Sequence, residues 1–450
     1  MRPDNLLTTG PLRVGLLRLA GPMFLASILQ NIQSMIDLFW VGRLGSPAVA
    51  GVASAGAILF LLWPIAMGLS TGTLALVSRY FGAERRAEAA VAAGQSLTLA
   101  VVVGVVLGTA GLLFLPNLVG LIGAETEVRR LASAYLQPSL AGYATVLLLA
   151  LGSAVFQGIG QAIRPMVAMG LANGLNMLLD RLFIFGGFGL PALGVQGAAW
   201  ATVLAQTAAC LVLISGLTRH TSPIRIRRPD MRPRPAVIGT MLRIGLFSTA
   251  QMLARSLMVL VLFRIVARCG TPSLAAYGIG MRFHHLVLLP SFVLGNAAAA
   301  MVGQNLGSRQ PARAVRAAWL AATLGVAINA VATVVLVAGA PLWIRLFDPN
   351  PEVARIGSAY LRIVSFFYLF SALGIILGRS MNGAGDTLPT MLITLLTLWG
   401  VQVPLAWGLA RLMTPPSEGV WWSIAVANAL NGLLITAWFQ IGRWKRIRLG

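Results

Sequence analysis

Two carboxylates, those of Asp37 and Asp180, stand inside long apolar segments of this 450-residue chain. The rest of its 12 acidic residues lie in connections or tails. An ionised carboxylate at the centre of a bilayer costs roughly 2.5 to 3.5 kcal/mol, so such groups normally face a cavity and serve transport. We therefore predict that both acids line one functional cavity, with solvation near a helix end as the alternative.

Polar residues recur on the same helical faces as these acids. The residues on these faces are Gln30 and Gln33 ahead of Asp37, Met169, Asn173 and Asn176 ahead of Asp180, and, in a third apolar segment, Thr202 with Gln206. Polar stripes this deep need partners or water, although Thr and Gln alone often only join helices. We expect the stripes to line a substrate cavity.

A coupling cation is predicted at four of these residues: Asp37, Asn176, Asp180 and Thr202. Carboxylate, amide and hydroxyl oxygens suit a hard monovalent cation such as Na⁺. The same carboxylates could instead exchange a proton when the cavity changes access. The sequence does not separate proton from sodium, and no other cofactor is expected.

Enzyme chemistry and a histidine metal site are both disfavoured by the sequence. His284 and His285 are adjacent, hence on different helical faces, and lack companions at metal-ligand spacing. The chain has only 3 histidines, and none lies near the two acids in sequence. We predict a protein that is not an enzyme.

Two further features concern motion and charge. Pro22 stands inside the first apolar segment, where its missing N–H and its ring favour a kink, so it is a candidate hinge. Gln251 and Arg255 share a face of the seventh segment and are also candidate cavity residues. Arg255 could bind an anion, neutralise a carboxylate or line water.

The composition is that of a membrane protein, with 57% hydrophobic and 10% charged residues and a mean hydropathy of +0.82. Nearly all basic residues are arginines, and they are scattered among connections rather than clustered as for nucleic acid. Apolar runs long enough to cross a bilayer recur along the chain. The predicted spans are 19–41, 49–77, 91–115, 136–160, 166–187, 195–217, 241–266, 274–303, 317–340, 362–380, 390–411 and 420–441.

The connections on one side of these spans, which include both termini, carry most of the 34 positive charges. Positive charge concentrates on the cytoplasmic side of membrane proteins. We predict a multi-pass protein of the inner membrane with both termini in the cytoplasm.

The two halves of the chain are related by an internal repeat at an offset of 225 residues. For example, Ala134-Tyr135-Leu136 falls on Ala359-Tyr360-Leu361, and Pro116 falls on Pro341. We predict an all-α polytopic membrane protein with twelve transmembrane helices in two pseudo-symmetric six-helix bundles. The bundles are 1–218 and 241–450, joined by a cytoplasmic linker at 219–240 that is rich in Arg and Pro and is expected to be an extended tether.

Several motifs resemble those of multidrug and toxic compound extrusion (MATE) transporters, in particular the DinF-like branch. They are DLFWVGRLG at 37–45, NMLLDRLFI at 176–184, GVQGAAWAT at 194–202 and NGAGDT at 382–387. Carried over from the family, Asp37 and Asp180 match its acidic pair, Asn176 and Thr202 match partners in the cation site, and Pro22 matches the proline at which the first helix bends. The second half has no such acid and carries Arg255 instead.

The resemblance implies an exporter of organic cations or amphipathic drugs, driven by H⁺ or Na⁺ entry through alternating access. Its partners would be those small molecules and membrane lipids, with no nucleic acid, and it is expected to be a monomer. A flippase or exporter of a lipid-linked or anionic substrate is the alternative, motivated by Arg255. A non-transporting receptor or scaffold is disfavoured, because such a function would not explain polar helix faces within two repeats.

Overall fold

The computed structural model describes residues 6–120, 125–187, 189–220 and 222–447, and these are almost all helical. Within those ranges the only β pairing is an isolated bridge between Gly187 and Leu190. The α-helices are, in chain order, α1 (Leu6–Thr9), α2 (Leu12–Gly42), α3 (Ser46–Phe60), α4 (Trp63–Gly82), α5 (Arg86–Leu113), α6 (Leu115–Gly120), α7 (Thr126–Ala141), α8 (Tyr143–Gly158), α9 (Ile163–Phe185), α10 (Val195–Thr218), α11 (Pro235–Ala267), α12 (Thr271–Gly307), α13 (Pro311–Ala338), α14 (Ala340–Arg345), α15 (Pro351–Ser365), α16 (Tyr368–Gly383), α17 (Thr387–Leu395), α18 (Val403–Leu412) and α19 (Pro416–Ile441). A π-helix, Leu396–Gln402, joins α17 to α18, and 3₁₀ turns lie at Arg228–Met231 and Arg443–Arg446.

Ten helical segments of the described chain are long and apolar enough to cross a membrane, and the number rises to twelve when two bent helix pairs each count as one span. The pair α7 and α8 bends by 51°, and the pair α15 and α16 bends by 50°. The predicted all-α membrane fold is therefore confirmed. The helices of the fourth and tenth spans begin earlier than the predicted spans, at Thr126 and Pro351, and their first turns carry Glu127 and Glu352.

Apolar side chains dominate the exposed faces of these helices. Val106, Leu178 and Leu211 are 60%, 69% and 63% exposed, respectively. In water such a surface would be an aggregation hazard, but in hydrocarbon it is the solvated face. The bilayer is the solvent for which this surface is built.

The chain forms two compact units, here called the first unit (residues 17–245) and the second unit (residues 6–16 and 246–447). Within the second unit, Asn305 Nδ2 donates to the carbonyl of Leu7 over 3.1 Å, and the Arg313 guanidinium donates to the carbonyl of Gly10. These bonds attach the segment that contains Leu7 and Gly10 to α12 and α13. The predicted division at 1–218 and 241–450 assigns this segment to the first bundle instead.

The linker is not the free, extended tether that its composition suggested. Gln95, fully buried in α5, donates to the carbonyls of Asp230 and Arg232 over 2.6 and 2.8 Å and accepts from the backbone N–H of Arg234 over 2.8 Å. Gly94 permits this approach, because a Cβ there would lie 2.6 Å from the Asp230 carbonyl oxygen. The Gln95 side chain thus anchors the linker to α5.

The internal repeat is visible in the backbone as well as in the sequence. Gly45 and Gly270, at equivalent positions ahead of α3 and α12, have φ of 100° and 101°. Gly160 and Gly385, which are also equivalent at this offset, have φ of 85° and 91°. These values lie where residues with a side chain are strained, so the repeat preserves glycine at the same turns.

We expect Gln95→Leu to lower the melting temperature of the purified protein, because it leaves three backbone groups of the linker without their partner. Each buried unpaired group costs about 1–3 kcal/mol. The measurement is thermal unfolding in detergent, followed by tryptophan fluorescence. Gln310→Leu is the control, since Gln310 is a half-buried residue outside this contact, and an equal shift in both variants would contradict the anchoring role.

Candidate functional site

The first unit brings the predicted polar stripes of α2, α9 and α10 together. Asn173 Nδ2 on α9 donates to the carbonyl of Leu29 on α2 over 2.6 Å. That carbonyl lies in the half of α2 between Pro22 and Asp37, and α2 continues without interruption through Pro22. Asn173 therefore fixes the neighbouring helix that carries the first acid.

The carboxyl groups of Asp37 and Asp180 lie within hydrogen-bonding reach of each other. Asp180 is fully buried, and Asp37 is half-buried. Two carboxylates in contact repel each other strongly when both are ionised, so such a pair normally shares a proton. In the absence of another cation, one proton is expected to bridge the pair.

Asn176 connects this pair to α10. Its Nδ2 lies 3.3 Å from Asp180 Oδ1 and 3.3 Å from Thr202 Oγ1, and Thr202 in turn donates to the carbonyl of Ala198 over 3.1 Å. All four residues predicted to hold the coupling cation are thus brought together within the first unit.

Three oxygens of this cluster are shielded from solvent and lack a hydrogen-bond partner: Asp37 Oδ1, Asp180 Oδ2 and Asn176 Oδ1. Buried acceptors without donors are costly unless a ligand satisfies them. All three can accept but not donate when the acids are ionised, so the donor set fits a proton or a hard cation.

A cavity of about 150 Å³ lies beside Thr202 in the first unit. Its polar lining consists of Thr202 and Gln206, which the sequence predicted, together with Tyr135, Ser139 and Tyr143, which it did not. Tyr135 also lies within electrostatic range of both Asp37 and Asp180. Thr202 and Tyr135 therefore link the cavity to the acid pair.

The missed residues carried a readable signal. Tyr135, Ser139 and Tyr143 are spaced by four, which places them on one helical face. The bend between α7 and α8 places this face along a single cavity, and Tyr143 Oη donates to the carbonyl of Leu62 over 2.9 Å. In the sequence alone, Tyr135 stands out only as a mark of the repeat.

Other predicted cavity residues have different surroundings. Gln30, Gln33 and Met169 do not line this cavity. Gln251 Nε2, in the second unit, donates to Thr394 Oγ1 over 2.8 Å and to the carbonyl of Thr390 over 3.1 Å, so its amide is bonded to a neighbouring helix. From sequence alone, a polar face looks the same whether it meets water or another helix.

Arg255, His284 and His285 lie in the second unit. Arg255 is half-buried and forms no hydrogen bond or ion pair with any residue that the structure describes. Across the described ranges, no group of three or more His, Cys, Asp or Glu residues is arranged to hold a metal ion. His284 and His285 thus do not belong to such a group.

Comparisons with known proteins agree along nearly the whole chain. The family model described as MatE matches residues 22–182 and 248–407. The chain is 27% identical over 444 residues to "Probable multidrug resistance protein NorM" of Thermotoga maritima, covering 97% of this chain and 94% of that protein. It is 25% identical over 441 residues to "Multidrug resistance protein PmpM" of Pseudomonas aeruginosa, covering 96% and 91%. The solved "Crystal structure of MATE in the bent conformation" matches with a TM-score of 0.90 at 25% identity, covering 98% of this chain and 97% of that chain.

A shared proton predicts a carboxylic C=O band in the infrared spectrum of the purified protein at neutral pH. We expect Asp37→Asn and Asp180→Asn each to abolish this band, because an asparagine donates to the remaining carboxylate without needing a proton. Asp348→Asn, in a loop, is the matched control and should retain the band. Persistence of the band in both single variants would show that the proton is held elsewhere.

Proposed function

This chain belongs to the MatE family, and from that premise we propose that it is a multidrug exporter that moves organic cations and amphipathic compounds out of the cell against H⁺ or Na⁺. Relatives named as multidrug resistance proteins cover almost the same length. The observation that carries the proposal is the shielded acid pair beside a cavity in the first unit.

The acid pair supplies the coupling. Thr202 contacts Asn176 and also lines the cavity, so the coupling site and the cavity share a side chain. A cation between Asp37 and Asp180 removes the negative charge that would attract a cationic substrate. Binding of one species then lowers the affinity for the other, and this competition is the thermodynamic requirement for exchange.

Pro22 is the proposed hinge of α2. Its ring nitrogen cannot donate to the carbonyl one turn earlier, which weakens the helix at that point. The segment after Pro22 carries both Asp37 and the Leu29 carbonyl that Asn173 binds. Binding of a proton or cation to the acids can therefore change the bend of this segment, and with it the side of the membrane to which the cavity opens.

The working protein is proposed to be a monomer in the inner membrane, with both termini cytoplasmic, and membrane lipids are its other contacts. The distribution of arginines supports the orientation.

The transport proposal predicts efflux of a fluorescent organic cation from vesicles under an imposed gradient. The purified protein is reconstituted, and efflux is recorded under a proton gradient and then under a sodium gradient. If only one gradient drives efflux, the ion of that gradient is the coupling ion. We expect Asp37→Asn to abolish this efflux and Asp348→Asn to leave it unchanged. Gradient-driven efflux retained in a well-expressed Asp37→Asn variant would exclude the acid pair as the coupling site.

The proposed orientation predicts a positive signal from each of two reporter fusions placed on opposite sides of the membrane. A green fluorescent protein at the C-terminus should fluoresce, because it folds in the cytoplasm. Alkaline phosphatase inserted between Asp348 and Asn350 should be active, because this loop follows the ninth span and lies outside the cytoplasm. An inactive phosphatase together with a non-fluorescent C-terminal fusion would show that the orientation is the opposite one, while leaving the fold unchanged.

A further inference from the structure

The positions that line the first-unit cavity have equivalents in the second unit, and these equivalents carry different chemistry. An offset of 225 residues carries each residue that lines the first-unit cavity to an equivalent in the second unit. Four of these equivalents are polar residues that bear a shielded nitrogen or oxygen without a hydrogen-bond partner, namely His284 (from Leu59), Tyr360 (from Tyr135), Tyr368 (from Tyr143) and Asn428 (from Val203).

The unpartnered atoms at these positions are mainly hydrogen-bond donors. The Tyr360 and Tyr368 side chains are fully buried, and their hydroxyls lie within reach of each other, but neither hydroxyl has a further hydrogen-bond partner among the described residues. The Tyr368 ring lies 5.4 Å from the His284 ring, and Asn428 contributes an unpaired amide N–H₂. Buried donors without acceptors call for an acceptor that the described residues do not supply.

Positive charge reinforces this pattern. Arg255 lies within electrostatic range of both His284 and Arg379. Arg379 is held by Asn296, whose Oδ1 accepts from its Nη1 over 2.6 Å, whereas Arg255 has no hydrogen-bond or ion-pair partner among the described residues. Asn296 is neutral, so it does not neutralise the charge of Arg379. The charge of Arg255 is not neutralised by any described residue in hydrogen-bond or ion-pair contact with it.

The acids of the second unit cannot neutralise these arginines. It has four, Asp348, Glu352, Asp386 and Glu418, and each lies in a loop or within the first turn of a helix. The position equivalent to Asp37 is Leu262, and that equivalent to Gln30 is Arg255. Arginine in a membrane span is costly without a counter-charge, and it marks a substrate or ion path.

We infer that the second unit holds an oxyanion-binding site built on Arg255, with Arg379, His284 and Tyr368 around it, which takes the phosphate or carboxylate of an amphipathic molecule. Guanidinium groups bind such groups with charge-assisted, often bidentate hydrogen bonds. The site goes beyond the proposed export of cations and gives the protein a place for anionic or zwitterionic amphiphiles. The phosphate could belong to a membrane lipid or to a soluble amphiphile.

The test is saturable binding of radiolabelled octyl phosphate to the full-length protein in phosphatidylcholine nanodiscs. We expect Arg255→Gln to weaken binding by roughly tenfold to a hundredfold, the range for losing a hydrogen bond to a charged group. Arg255→Lys should retain part of the affinity, and Arg264→Gln, in the last turn of the same helix, should bind like the unaltered protein. Octyltrimethylammonium, the matched cation, should not displace the probe.

A second set of measurements separates loss of the site from loss of the fold and identifies the source of the anion. Arg255→Gln should keep the melting temperature of the unaltered protein. Gradient-driven cation efflux is measured separately on the unaltered protein, so a failure of the exporter proposal is distinguished from a failure of this inference. If Arg255→Gln does not fold, Arg379→Gln replaces it with the same expected loss. Competition by phosphatidylglycerol in the nanodisc assigns the site to lipid, and no competition assigns it to a soluble amphiphile. Unchanged binding in Arg255→Gln or Arg379→Gln, or no saturable binding, would overturn the inference.

Discussion

The contact between the carboxyl groups of Asp37 and Asp180 is the constraint on which the first unit depends. Two negative charges this close in an apolar surrounding repel strongly, so the pair needs a proton or a cation between its members. The surrounding residues hold the pair in place but do not neutralise its charge, since Asn176 and Thr202 offer only neutral groups. The site is therefore sensitive to the cations around the protein, as energy coupling requires.

The neighbouring helices transmit the state of this pair to the cavity. Asn173 binds the α2 backbone, Asn176 binds Thr202, and Tyr135 lies within electrostatic range of both acids while lining the cavity. No long pathway is needed, because the coupling atoms and the cavity wall are one or two side chains apart. Exchange between cation and substrate is then a local competition. Pro22 gives α2 a point at which it can bend when the cation bound to the acid pair changes.

The two units show how one backbone supports two chemistries. In a bilayer every backbone N–H and C=O must form a hydrogen bond within the protein. The two units therefore keep the same turns between helices, as Gly160 and Gly385 illustrate. Side chains that face a cavity are under no such constraint. At equivalent positions the first unit carries Asp37 and Gln30, and the second carries Leu262 and Arg255, so the repeat preserves the scaffold while the charge changes sign.

The sequence alone determined the membrane fold, the repeat and the four residues of the acidic cluster, because hydropathy, an offset of 225 residues and helical periodicity are all local or one-dimensional signals. Only the tertiary structure decided which polar faces meet one another and which meet a cavity. Gln251 bonds to Thr394, and Gln95 captures the linker, whereas Tyr135 lines the cavity. Periodicity gives the direction of a side chain around its own helix but not the neighbour that it meets, and that neighbour determines whether a polar group packs, anchors or binds.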